Sequence, residues 1–151
     1  MNALIKDLEK ALLRDLQKLE DEIRLYADDE TLWKKTVCIN NPAGNICLHL
    51  CGNLQHFIGH VLGKSTYQRN RTFEFECPFL PREKLLAEIH QTRLTIAEYL
   101  PRVQEAELDR EYPIKVFQEP MSTRLFLLHL ATHLNYHLGQ INYHRRLIGQ
   151  P

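Results

Sequence analysis

The sequence predicts an all-α fold, a bundle of four helices joined by long crossover connections. Three observations carry this: apolar residues recur at helical spacing in four separate stretches, capping or breaking residues bound those stretches, and no stretch between them reads convincingly as a strand. At 151 residues the chain has the length of one ordinary domain, so residues 1–151 are expected to form a single bundle domain.

The stretch from Leu4 to Tyr26 carries Ile5, Leu8, Leu12, Leu16, Leu19 and Ile23 at helical spacing with charges between them, a long amphipathic first helix. Asp28, Asp29 and Glu30 lead into a connection through Asn40 without clear period, in which Trp33 is the expected core anchor. Asn41 as cap and Pro42 as first helical residue start a second helix that runs to about Leu62 and stops at Gly63 and Lys64. Ser65 to Pro78 reads as an ordered crossover loop and not as a helix. Phe73 and Phe75 alternate there with Glu74 and Glu76 between polar flanks, and the length of the segment suggests that it packs over something. Pro81 opens a third helix on Leu85, Ile89, Ile96 and Leu100, interrupted at Pro101. An irregular stretch from Arg102 to Pro120 precedes a fourth helix capped by Ser122 and running to about Ile148, before Gly149.

Nineteen basic and nineteen acidic residues cancel, and no long run of one sign occurs, so the chain lacks the electrostatic footprint of a nucleic-acid or anionic-membrane binder. No apolar run approaches the roughly 20 residues of a bilayer span, and no signal-peptide pattern opens the chain, so a cytoplasmic location is expected. Cys38, Cys47, Cys51 and Cys77 form no C-x-x-C pair and read as thiols, with Cys47 and Cys51 buried one turn apart on the second helix.

The chemistry is concentrated in histidine. On the fourth helix His129, His133, His137 and His144 fall within one sector, joined by Gln140. On the second helix stand His49, His56 and His60. Imidazoles at i and i+4 on a helix can reach one divalent ion together, so His129 with His133, His133 with His137, and His56 with His60 are all open as pairs. His133 belongs to two of them. His49 and His56 lie about 10 Å apart along the axis and cannot share one ion. A single helical histidine is ordinarily a half-buried polar group bonded to a neighbour, but seven on two helices favour a metal site. Neither Asn45 to Gly63 nor Met121 to Gly149 contains Asp or Glu, so those segments supply neutral imidazoles and no carboxylate ligand. Such a set leaves the ion's charge uncompensated and favours hydroxide, a thiolate or a substrate carboxylate at the fourth position. Asn53, one turn after His49, and Gln140 are the amides placed to orient an imidazole or a bound water.

The segment His133, Leu134, Asn135, Tyr136, His137, Leu138, Gly139, Gln140, Ile141 resembles the H-x-x-x-H-x-G-Q-I signature of the DinB-like superfamily of metal-binding four-helix bundles. His49 to Leu54, and Arg69, Asn70, Arg71 followed by Glu74, Phe75, Glu76, are similar to one bacterial subfamily of it without an assigned activity. The resemblance implies His49, His133 and His137 as metal ligands, with His56, His60, His129 and His144 accessory or structural. It further implies zinc or nickel as the ion and a homodimer. Relatives include thiol-dependent transferases, in which a low-molecular-weight thiol binds the metal, and hydrolases. The expected function is therefore a metal-dependent enzyme that activates a thiolate or water against a small-molecule substrate, with a non-catalytic metal-binding accessory protein as the rival. The Arg69 to Glu76 segment is expected to serve structural ion pairing ahead of substrate binding.

Overall fold

The computed structural model describes residues 2–148, which are mostly helical with no β-strand among them. Helix α1 spans Ala3–Leu25, α2 spans Ala43–Leu54, α3 spans Arg71–Glu76, α4 spans Arg82–Tyr99, α5 spans Glu105–Leu108 and α6 spans Thr123–Ile148. Helix α1 starts where the Asn2 side chain accepts a hydrogen bond from the Leu4 N–H, and it buries the predicted apolar ladder from Ile5 to Ile23. Each such fully buried leucine or isoleucine contributes about 1.5–3 kcal/mol relative to exposure.

Helix α1 packs against α4 and α6, and α2 packs against the same two, so the order around the bundle is α1, α4, α2, α6. The helices consecutive along the chain at α1–α2 and at α4–α6 are therefore diagonal, and their connections must cross the bundle's end. This is the physical reason for the long crossover connections. Trp33, on a short 3₁₀ turn in the first of them, is buried and donates its indole N–H to the Leu80 carbonyl at 3.0 Å. In the second, the Tyr112 hydroxyl donates to the Phe57 carbonyl at 2.7 Å and the Tyr112 ring stacks on Phe126.

The boundaries depart from expectation in three places. Helix α2 begins at Ala43, one residue late, because the Pro42 carbonyl accepts the first helical hydrogen bond while Pro42 itself is extended. Beyond Leu54 the helix continues to Leu62 as a π-helical segment, Gln55–Leu62, whose wider turn stacks His56 on His60. The segment expected to be a loop contains α3, capped by Asn70 accepting from the Phe73 N–H. Its alternating pattern was misleading because the buried residue is Glu74, while Phe73 is exposed. The third helix gives way at Leu100–Arg102 to a 3₁₀ turn at Pro101, as its sequence implies. Ser122 accepts from the Leu125 N–H at the start of α6, and the stop expected at Gly149 lies outside the described residues.

His144 is buried in this framework. Its Nε2–H donates to the Lys34 carbonyl at 2.8 Å, and its Nδ1 lies 2.7 Å from the Tyr26 hydroxyl, which can donate to it. Burial, opposed by the Lys34 carbonyl, pushes its pKa below the ordinary histidine value. The unfolded chain therefore binds a proton more readily, and the stability His144 confers is present at neutral pH and lost as pH falls below about 6.5. His144→Ala should cost about 1–3 kcal/mol in urea unfolding at pH 7.5, and the gap between parent and variant should narrow on acidification to pH 5. A gap that widens would contradict this assignment.

Candidate metal centre

Three histidines meet where α2 faces α6. The ligating atoms of His49, His133 and His137 all lie within 4.8 Å of one another, and these residues form the one such group of histidine, cysteine or acidic side chains among the described residues. His133 and His137 are one turn apart on α6, with ring centroids 4.6 Å apart. His49 reaches them from α2, its ring 5.1 Å from His133 and 5.3 Å from His137.

Hydrogen bonds fix which nitrogens face inward. The Glu74 carboxylate carries no proton and lies 3.1 Å from His49 Nδ1, so Nδ1–H donates and Nε2 keeps its lone pair. Arg69 Nη2 also lies 3.4 Å from that nitrogen, but Glu74 is the nearer partner and sets the tautomer. On α6, His137 Nδ1–H donates to Gln140 Oε1 at 2.7 Å, which again frees Nε2. His49 Nε2 and His133 Nε2 are 3.2 Å apart. Two nitrogens bound to one tetrahedral zinc at about 2.0–2.1 Å would be separated by about 3.3 Å, so this edge of the group already has the spacing of a ligand pair.

Burial favours the neutral form of the two α6 rings. Burial, followed by the neighbouring His137, His49 and His129 and by Arg69, pushes His133 down to about 3. Burial also lowers His137, against the Gln140 hydrogen bond. Neutral imidazole is the form that binds a metal, so these groups need shed no proton near pH 7.

Glu74 is the residue that sequence reasoning missed in this role. Burial alone would raise its carboxyl pKa, but the Arg69 guanidinium and the His49 N–H hold it below the ordinary value. Arg69 grips both carboxylate oxygens, at 2.8 and 2.9 Å. The expected ion pairing of this segment is thus present, but its carboxylate also orients a histidine. The signal was available: a metal-binding histidine needs an acceptor on its other nitrogen, and neither histidine-bearing helix contains an acid. Gly52, one turn along from His49, makes room for it, since a Cβ there would fall on the Glu74 carboxylate.

The remaining candidates are elsewhere. His129 packs on Phe117 at 4.9 Å, with its ring 5.7 Å from His133, and stays outside the group. His56 is stacked on His60, which bonds the Ser65 carbonyl, and His56 Nδ1 is buried without a hydrogen-bond partner. Asn53 is buried with Oδ1 also unpartnered, so it bonds none of the three imidazoles through that atom. Cys47 and Cys51 are buried, as expected, and do not join the cluster.

A family model described as "Protein of unknown function (DUF1572)" matches residues 2–150. The chain belongs to this DUF1572 family. A crystal structure of a conserved protein of Enterococcus faecalis is similar in fold, with a TM-score of 0.78 at 13% identity over 99% of each chain. Among curated proteins none matches. No helix of this DUF1572 protein is long and apolar enough to cross a membrane among the described residues.

Glu74→Gln should retain the fold but weaken zinc binding by about 10–100-fold, because an amide holds the His49 N–H less strongly than a carboxylate. Gly52→Ala should do the same by displacing Glu74, and competition against a chromophoric chelator measures both. Unchanged affinity in the two variants would show that the carboxylate does not support the site.

Proposed function

We propose that the protein is a DinB-like, divalent-metal-dependent enzyme in which His49, His133 and His137 hold one zinc or nickel ion. The observation that carries this is the convergence of three imidazoles with no fourth histidine, cysteine or acid in the group among the described residues, beside a cleft of about 510 Å³ bordered by His49 and His137. A structural zinc site is ordinarily closed by four protein ligands, whereas three ligands leave a position for water or substrate. A bound ion would lower the pKa of a thiol or water at that position and supply a nucleophile at neutral pH. The favoured reaction is transfer to a thiol from a small-molecule electrophile, and hydrolysis by water is the alternative.

Each residue then has a defined task. Glu74 and Gln140 keep the protons of His49 and His137 on Nδ1, and Arg69 keeps Glu74 ionised. The DinB-like reading is supported by the histidine signature on α6 and by the all-α bundle.

Protein purified without chelator should carry close to one equivalent of zinc or nickel per chain by elemental analysis. His133→Ala should carry almost none while its far-ultraviolet circular dichroism is unchanged, and His90→Ala, altered at an exposed position, should match the parent. A full equivalent in His133→Ala would refute the ligand set. Metal that is bound but admits no exchangeable water would favour the rival role, an ion that only staples α2 to α6.

A further inference from the structure

The cleft beside the three histidines has an unusual wall. His49, His137 and Gln140 border it on the side of the histidine group, and Ile39, Ile46, Phe75, Tyr136, Tyr143 and Leu147 supply an aliphatic and aromatic wall. Cys38, Asn40, Asn41 and His144 are its other polar residues, and among the described residues no Asp, Glu, Lys or Arg lines it. Its volume, about 510 Å³, suits a small molecule. Arg69, beside His49, is committed to both oxygens of Glu74. Arg71 is stacked over Phe75 at 5.0 Å and Arg146 over Tyr143 at 5.3 Å, and both are exposed.

This wall selects against charge. A carboxylate in the cleft would give up part of its hydration against Ile46 and Phe75 and find no guanidinium or ammonium among the lining residues to replace it. An ion pair made at the rim with Arg71 or Arg146 would be open to water and contribute little. A flat apolar body, in contrast, meets aromatic faces and aliphatic edges, with amide groups for a neutral carbonyl or hydroxyl. One ionisable atom is tolerated, and only on the side of the histidine group, where an ion held by the histidines would neutralise it.

We propose that this cleft is the substrate site and that it takes an uncharged molecule with an aromatic or similarly flat apolar body and a single metal-seeking atom, such as a neutral aromatic thiol. Thiols that carry carboxylates, as peptide thiols do, are poor ligands for it. This rests on the three-histidine metal reading above and narrows its substrate class.

The test uses full-length protein loaded with cobalt(II), whose visible bands report the metal and whose thiolate charge-transfer band reports a bound thiol. Titration compares benzyl mercaptan, its para-carboxylate analogue and glutathione. Benzyl mercaptan should bind at least about ten-fold tighter than either carboxylated thiol. Tyr143→Ala, which leaves the three histidine ligands in place, should weaken benzyl mercaptan while leaving the cobalt bands of the thiol-free protein unchanged. Absence of cobalt bands would overturn the metal reading and this inference with it. Normal cobalt bands with equal or tighter binding of the carboxylated thiols would overturn this inference alone, as would unaltered benzyl mercaptan affinity in Tyr143→Ala.

Discussion

The face of the bundle where α2 meets α6 depends on a buried carboxylate. Glu74 lies 3% exposed on a six-residue helix, in surroundings where an unpaired charge would be driven to protonate. Arg69 prevents that by bonding both oxygens, and the remaining acceptor capacity goes to His49. Removing Arg69 would therefore free a buried negative charge next to the histidines, and removing Glu74 would leave a buried guanidinium and an unoriented imidazole. The three groups act as a unit, so the substitutions should not be additive. Gly52 is part of the same unit by having no side chain.

From this constraint the chemistry follows by geometry. Once Glu74 fixes the proton of His49 on Nδ1, its Nε2 faces His133, and the α-helical turn on α6 places His137 beside both. Gln140 repeats for His137 what Glu74 does for His49, but with a neutral acceptor at an exposed position. The two supports differ in strength accordingly. Both sides border the cleft where a ligand would arrive, through Ile46 and His49 on α2 and through His137 and Gln140 on α6.

Much of the fold could be read from the chain because its four long helices bury apolar ladders of simple period, as with Ile5 to Ile23 on α1. Short elements were less legible. Helix α3 was masked because its inward residue is an acid whose burial makes sense only through partners 25 residues away at His49 and 5 away at Arg69. The histidine row on α6 shows a different limit. Spacing gives direction around a helix but not the depth of what it faces, so His144 and His129 share a sector with His133 and His137 yet meet Tyr26 and Phe117 instead. Likewise the π-helical turn after Leu54, which carries His56 to His60, leaves no signature in the apolar pattern.

The measurement that bears most directly on the central claim is X-ray absorption at the zinc edge of the stoichiometrically loaded protein. Three imidazole nitrogens are expected at about 2.0–2.1 Å, with at least one light, exchangeable ligand and no sulfur. A sulfur scatterer, or a fourth imidazole closing the shell, would contradict it.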